Sequence, residues 1–335
     1  MEDKIVYLDP SRPRQSRADE KRYKLMKQVT AFAPATVANV SCGFDILGFA
    51  IDELGDKVTV SHSDRLWVSD IQGDGGKLPY EVDRNTCTVA IKAMLDSLAY
   101  RGGMEVVLNK GLPLGSGMGS SAASSVAALV AANHLLGSPY TKADLLPFAM
   151  VAEGIACGAA HADNVAPSLL GGFVLIRSYH PLDVTALHVP HDLHCTLLHP
   201  HMELNTADSR SVMRKQVSLK NAIIQSGNIA GLVAGLYQEN MGLISRSLED
   251  VIAEPSRSVL IPGYDEIKEA IKEAGALGCG ISGSGPTVFI LSPNRQIALN
   301  VKEISQSVYD KIGLPVDLHV SAINAKGAYV IDEQL

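Results

Sequence analysis

Three features are scarce or missing in this 335-residue sequence: paired cysteines, long apolar runs and an excess of basic charge. The cysteines are scattered without a CxxC pair, which predicts reduced thiols and a cytoplasmic protein. No apolar run reaches the length of a membrane span, because Asn133 and His134 interrupt the best candidate. The net charge of −7 argues against nucleic acid as the main partner. The cysteines are Cys42, Cys87, Cys157, Cys195 and Cys279.

The first 28 residues differ in composition from the rest of the chain. They carry more basic than acidic residues, little apolar periodicity and no apolar core of a signal peptide. We expect residues 1–28 to be a poorly ordered extension, with a basic binding arm as the alternative. The chain as a whole is 46% apolar and 19% charged, which is enough to bury a substantial core in two domains.

From Val29 onward, strand-like and helix-like segments follow one another without strict βαβ alternation, which favours an α+β fold. GMEVVLN and HCTLLHP are typical of strands. A helix is predicted for TKADLLPFAMVAEGIACG, with Thr141 and Asp144 at capping-box spacing. Further helices are predicted near residues 211–225, 228–238 and 240–250. GCGISGSGPTVFILS is predicted to be a glycine loop that runs into a strand.

The most informative stretch is PLGSGMGSS, the glycine–serine loop at Pro113–Ser121, between a predicted strand and a predicted helix. Glycines let backbone N–H groups converge, and a helix N-terminus adds donors and positive dipole, so the loop suits a phosphate. The alternative is an ordinary strand–loop–helix turn. A dinucleotide fold is disfavoured because another helix, not a strand, follows. A Walker A loop lacks its lysine here.

Two further segments carry candidate chemistry. Glu153 stands in an apolar, small-residue context, where it either points to solvent or binds Mg²⁺ beside the loop. The segment HADNVAPSLLGG places His161, Asp163 and Asn164 together, with Asp163 as a candidate base and Asn164 as a hydroxyl contact. The tract HVPHDLHCTLLHPH contains five histidines, but its proline and strand pattern disfavour the helical spacing of a metal site.

PLGSGMGSSAA resembles the phosphate loop of the GHMP kinases, and APATVANVSCGFDILG and GCGISGSGPTVFIL resemble the other two signatures of that family in the same order. Within the family, ANVSCGFDILG and HADNVAPSLLGGF are similar to the branch that phosphorylates L-homoserine. The resemblance implies an N-terminal domain of the ribosomal S5 domain 2 type (29–185), which would bind ATP, and a ferredoxin-like C-terminal domain (186–335). It also implies Mg²⁺-dependent transfer of phosphate from ATP to L-homoserine, in a homodimer.

The resemblance assigns roles to individual residues. Ser121 and Glu153 would bind Mg²⁺, and Asn85 would lie near the adenine. Asn39 and Asp45 would hold the ammonium of the substrate, and Asn164 would meet its hydroxyl beside His161. Arg210 and Arg257 would bind its carboxylate, a role that a planar, bidentate cation suits. The triphosphate would be wrapped by Pro113, Leu114, Gly115, Ser116, Gly117, Met118, Gly119, Ser120, Ser121, Ala122 and Ala123.

The sequence leaves other functions open. A GHMP kinase could act on another small alcohol, such as mevalonate or shikimate, although mevalonate has no ammonium for Asp45. A GHMP-fold protein could also bind a ligand without catalysis, but Ser121 and Glu153 are both present. The role of Asp163 as a base is open too, because a loose phosphoryl-transfer transition state demands little deprotonation of the nucleophile.

Overall fold

The computed structural model describes residues 6–7, 26–158, 160–202, 204, 209, 211–214 and 216–334. Most of the 1–28 extension therefore lies outside the described residues. Its residues Val6–Tyr7 form β1, which pairs antiparallel with β7 (Leu182–Leu187). Within the described part of the chain, no helix is both long enough and apolar enough to cross a membrane.

Two sheets organise the molecule. The larger one has eight strands, with the path β1-β7-β6-β3-β2-β12; β5 pairs with β3, and β4 lies parallel to β5. Its other strands are β2 (Gln28–Ala38), β3 (Leu47–Ser63), β4 (Trp67–Gln72), β5 (Gly103–Asn109), β6 (Phe173–Tyr179) and β12 (Tyr329–Gln334). The smaller, antiparallel sheet has the order β11-β8-β10-β9. It consists of β8 (His194–Pro200), β9 (Gly278–Ile281), β10 (Val288–Ser292) and β11 (Val316–Ala322).

The helices of the first half of the chain pack on the large sheet. They are α1 (Thr86–Ser97), α2 (Ser120–Leu135), α3 (Lys142–Cys157) and α4 (Val165–Leu170). The α2 helix is buried on nearly every side, because its alanines and serines let β2, β3, α1 and α3 approach closely. The body of this central helix is therefore buried from Ala122 onward, and the glycine–serine loop leads directly into its first turn.

The second half of the chain places its last three helices on the small sheet and its first against β7 of the large sheet. Its helices are α5 (Leu219–Tyr237), α6 (Met241–Ser247), α7 (Glu254–Arg257), α8 (Tyr264–Glu273) and α9 (Arg295–Ile312). The α8 and α9 helices bury Ile267, Ile271 and Val301 against strand residues Val288 and Ile290. The expected domain boundary at 185/186 falls shortly before β8, where the chain enters the small sheet. The last strand, β12, returns to the large sheet and pairs with β2, so the large sheet contains strands from both sides of that boundary.

Several predicted elements are confirmed and others are wrong. GMEVVLN is β5, and Thr141 and Asp144 form the capping box of α3. The helices expected at 211–225 and 228–238 are instead the single helix α5, which begins after the Ser218 cap and continues through Gly227, since one exposed helical glycine costs only ~1 kcal/mol. The 240–250 helix is the shorter α6. The predicted glycine loop begins as strand β9.

Candidate active site

The glycine–serine loop adopts a backbone that only glycine supports easily. Gly115, Gly117 and Gly119 have φ of 64°, 81° and 66°. A Cβ at Gly117 would lie 2.6 Å from the carbonyl oxygen of Ser282, and one at Gly119 would lie 2.1 Å from Thr36 Oγ1. The loop is therefore in close contact with neighbouring segments on two sides, and its last residue, Gly119, is the N-cap of α2.

The loop opens into a cavity of about 400 Å³, the central cavity, where most of the predicted site residues meet. Asn85, Pro113, Met118, Ala122 and Ala123 do not line it. The Asn85 side chain instead caps α1 and donates to the carbonyl of Pro79, while Ala122 and Ala123 are fully buried. Predicted residues that do line the cavity are Asn39, Asp45, Leu114, Gly115, Ser116, Gly117, Gly119, Ser120, Ser121, Glu153, His161, Asp163, Asn164 and Arg257.

At the loop end of the cavity, Ser121 and Glu153 form a hydrogen-bonded pair of side-chain oxygens. Ser121 Oγ donates to Glu153 Oε2 at 3.0 Å, across from α2 to α3. Glu153 is only 5% exposed, so the alternative that it points to solvent is wrong. A hydroxyl and a carboxylate beside a helix N-terminus are the hard-oxygen ligands that Mg²⁺ prefers, and they fit the role of holding it next to a phosphate.

A second group of polar side chains lies on the turn between β2 and β3 and on the segment before α4. Asp45 N–H donates to Asn39 Oδ1 at 3.0 Å, and Asn39 Nδ2 donates to the carbonyl of Gly283 at 2.8 Å. His161 Nδ1 lies 3.4 Å from Asp45 Oδ1. Asn39 and Asp45 have φ of 74° and 60°, a left-handed backbone that is uncommon for non-glycine residues and concentrates at functional sites. This group can receive a cation at the cavity wall.

Arg257 is 4% exposed, so it is not a solvated surface charge. Its Nε donates to the carbonyl of Ser209 at 3.1 Å and its Nη1 to that of Gly283 at 3.0 Å. The guanidinium also lies 5.0 Å from the Phe44 ring centre, a cation–π contact. These contacts fix the guanidinium plane at the cavity wall. The other predicted carboxylate contact, Arg210, lies outside the described residues.

Sequence reasoning missed a buried ion pair beneath the loop. Lys110 Nζ pairs with Asp56 Oδ2 and donates to Ser120 Oγ at 2.7 Å and to Ser124 Oγ at 2.9 Å. The Lys110 and Asp56 side chains are 1% and 0% exposed. The sequence offered one signal for this pair, a lysine between a strand and the glycine–serine loop. It could not identify the partner, because Asp56 lies 54 residues away in β3. The pair anchors the first turn of α2.

The histidine tract lies on and around β8. His188 contacts Glu239, His191 contacts Asp192, and His201 contacts Asp317, each on the surface. His199 is buried in β8, and burial lowers its pKa. Among the described residues, no group of three or more metal-ligating side chains comes together.

Comparisons with known proteins agree with this geometry. Residues 85–172 match the family model of the GHMP kinases N terminal domain, and residues 229–311 match that of the GHMP kinases C terminal domain. The homoserine kinase of Chlorobaculum tepidum is 49% identical over 320 residues, covering 91% of this chain and 99% of that protein. The homoserine kinase of Chloroherpeton thalassium is 47% identical, with 91% and 100% coverage.

Solved structures point in the same direction. The crystal structure of homoserine kinase from Cytophaga hutchinsonii superposes with a TM-score of 0.89 at 49% identity, covering 97% of this chain and 100% of that one. Mevalonate diphosphate decarboxylase from Staphylococcus aureus shares the fold, with a TM-score of 0.68 at 16% identity and coverage of 92% and 99%. The expected GHMP kinase fold is confirmed, and this chain belongs to the GHMP kinase family.

Proposed function

We propose that this chain transfers the γ-phosphoryl group of ATP to the side-chain hydroxyl of L-homoserine. The observation that carries the proposal is the meeting of three groups in one cavity: the glycine–serine loop, the Ser121–Glu153 pair and the Asn39–Asp45–His161 cluster. The first two suit a metal-bound triphosphate, and the third suits an ammonium. The names of the relatives at 47–49% identity support the same acceptor.

On the nucleotide side, the loop N–H groups and the N-terminus of α2 would bind the phosphates. Ser121 and Glu153 would hold Mg²⁺, which when bound neutralises charge on the phosphates. The Lys110–Asp56 pair keeps Ser120 and the start of α2 in place beneath them. Asn85 does not line the cavity, but its neighbours Arg84 and Thr86 do, and its side chain caps the helix that begins at Thr86. Asn85 would therefore act near the adenine by holding these two neighbours in place.

On the acceptor side, Asp45 and Asn39 would bind the ammonium, with Arg257 and Arg210 binding the carboxylate. The Asp45 backbone is held by the hydroxyl of Tyr179, which donates to its carbonyl at 2.7 Å. Asn164 would position the hydroxyl beside His161, and Asp163, 4% exposed, would be the candidate base. Positioning of this kind converts binding into rate, because in-line attack needs the two reactants held at contact distance.

We also infer the broader setting of the activity from the family resemblance. The protein would work in the cytoplasm as a homodimer, with domains at 29–185 and 186–335. Its partners would be the small substrate and nucleotide, not nucleic acid, which agrees with the net charge of −7. Burial raises the pKa of the Cys42 and Cys87 thiols to about 12, which keeps them protonated and unreactive.

The test is ATP turnover in a coupled ADP assay with L-homoserine, L-serine, L-threonine, shikimate and mevalonate. Turnover should strongly favour L-homoserine. ADP release with only another alcohol would refute the substrate and keep a kinase; ATP binding without any turnover would indicate a non-catalytic binding protein.

The metal assignment has its own variant. Glu153→Ala should lower kcat by ~100-fold or more, because a carboxylate beside the transferred phosphate is lost. Glu269→Ala, which removes an exposed carboxylate on α8, is the matched control and should leave turnover unchanged. Equal activity of the two variants would refute the role of Glu153.

A further inference from the structure

A buried threonine contacts the residue expected to meet the acceptor hydroxyl. Thr36 in β2 is 0% exposed, and its Oγ1 donates to Asn164 Oδ1 at 2.8 Å. The β2–β3 register breaks between Pro34 and Thr36, and such irregularities re-aim side chains next to active sites. The hydrogen bond therefore joins the centre of the large sheet to the start of α4.

The direction of this hydrogen bond orients the Asn164 amide. A fully buried hydroxyl needs an acceptor for its proton, and among the described residues the Thr36 hydroxyl makes no other hydrogen bond. Asn164 Oδ1 is that acceptor, so Nδ2 is the atom left to serve the central cavity, which Asn164 lines. An amide held this way presents a hydrogen-bond donor, not an acceptor, to a ligand.

The same threonine also contacts the glycine–serine loop. Its backbone N–H donates to the carbonyl of Met118 at 3.0 Å. A Cβ at Gly119 would lie 2.1 Å from Thr36 Oγ1 and 2.8 Å from Asn164 Oδ1, so the loop packs directly on the hydrogen bond. The position of the amide is thereby tied to the position of the loop.

We propose that Thr36 is a positioning residue that holds Asn164 with Nδ2 towards the acceptor hydroxyl, at a fixed position relative to the phosphate-binding loop. This inference rests on the proposed function. In this arrangement, Asn164 donates to the hydroxyl oxygen, which keeps its other lone pair for attack on phosphorus. ADP then leaves, and the hydroxyl proton passes to Asp163, the candidate base, or to the transferred phosphoryl group. Asn164 cannot then accept the hydroxyl proton, so its contribution is alignment of the nucleophile.

The test compares kcat and KM for three variants of β2 threonines. Thr36→Val keeps the shape and removes the donor, and we expect kcat to fall ~10- to 100-fold with the KM for ATP changed by less than about threefold. Thr36→Ser keeps the donor and should retain most of kcat. Thr30→Val is the matched control, because Thr30 bonds to Thr59 on the same strand pair, away from the cavity; it should leave both constants unchanged.

A double-mutant cycle separates positioning from general damage to the fold. In an Asn164→Ala background, Thr36→Val should lower kcat by less than about threefold, since the group that it orients is gone. A loss as large in that background as in the unaltered protein, or no loss in Thr36→Val alone, would overturn the proposal. The cycle is run with whichever alcohol the protein phosphorylates. If that alcohol is not homoserine, the proposed function is refuted, but the cycle still decides the role of Thr36.

Asn164→Asp gives an answer even if Thr36→Val does not fold. An ionised aspartate has the same shape but offers the cavity an acceptor instead of a donor. The proposal predicts a kcat as low as that of Asn164→Ala. Asn164→Asp activity within about threefold of the unaltered protein would show that the hydroxyl needs no donor at this position and would overturn the proposal.

Discussion

Replacing Lys110 with methionine removes a buried cation and leaves Asp56 charged beneath the glycine–serine loop. Lys110 Nζ contacts Asp56, both the carbonyl and the hydroxyl of Ser120, and the hydroxyl of Ser124. Asp56 keeps the N–H groups of Gly111 and Leu112, at 3.0 and 3.1 Å, but loses its counter-charge. The hydroxyl of Ser124 also still donates to Asp56, but a buried carboxylate without a cation beside it is unfavourable.

Because both side chains are almost completely buried, we expect a loss of about 3–5 kcal/mol in the free energy of unfolding. The assay is urea unfolding at pH 7 with and without ATP. Asp56→Asn added to Lys110→Met should recover part of the loss, since it removes the stranded charge. Lys92→Met is the matched control: the Lys92–Asp83 pair is exposed, and its loss should change little.

The activity of the Lys110→Met variant should fall as well, with a higher KM for ATP, because Ser120 at the start of α2 loses its anchor. Two results would refute this reasoning. One is an unfolding free energy within about 1 kcal/mol of that of the unaltered protein. The other is a double variant that is less stable than Lys110→Met, which would mean that the Asp56 charge is not the source of the loss.

Three further predictions follow from single contacts. Gly119→Ala should raise the KM for ATP and lower the urea midpoint, because a left-handed residue with a side chain would overlap its neighbours; unchanged values would contradict the loop geometry. Tyr179→Phe should raise the KM for homoserine several-fold and leave that for ATP unchanged, because the bond that holds the Asp45 backbone is lost; equal effects on both would contradict it. Burial lowers the pKa of His199, so below pH about 6.5 unfolding takes up a proton and the free energy of unfolding falls. His199→Gln should reduce that fall between pH 7 and 5. An unchanged pH profile of stability would contradict this.

The local signals in the sequence predict much of the frame around the site. The glycine–serine loop is correctly predicted to follow a strand and open a helix, and Thr141 with Asp144 correctly predicts the start of α3. The first half of β3 lacks such a signal, because residues 47–56 do not alternate in polarity, and at Gly48 and Phe49 the strand is paired with β2 on one side and β6 on the other. Gly227 suggested a break between two helices. The helix continues through it, because Gly227 lies on the exposed side of α5, where its cost is small.

The contacts that position the site could not be predicted from local sequence patterns, because they join segments that are distant in the chain. The buried Arg257 side chain donates to the carbonyls of Ser209 and Gly283. No sequence pattern links either residue to Arg257. Thr36 and Asn164 are 128 residues apart. Short-range periodicity identifies an element and its buried face, whereas the pairing of elements decides which polar atoms meet.

The most direct test of ammonium recognition compares L-homoserine with 4-hydroxybutanoate, which keeps the hydroxyl and carboxylate but lacks the ammonium. We expect kcat/KM for the analogue to be lower by on the order of 100-fold, because the analogue has no ammonium for Asp45 to bind. In Asp45→Asn, kcat/KM for homoserine should fall towards the value for the analogue, so the discrimination is largely lost. Similar kcat/KM values for the two alcohols in the unaltered protein would show that the Asn39–Asp45–His161 cluster does not recognise an ammonium, and would contradict the proposed acceptor site.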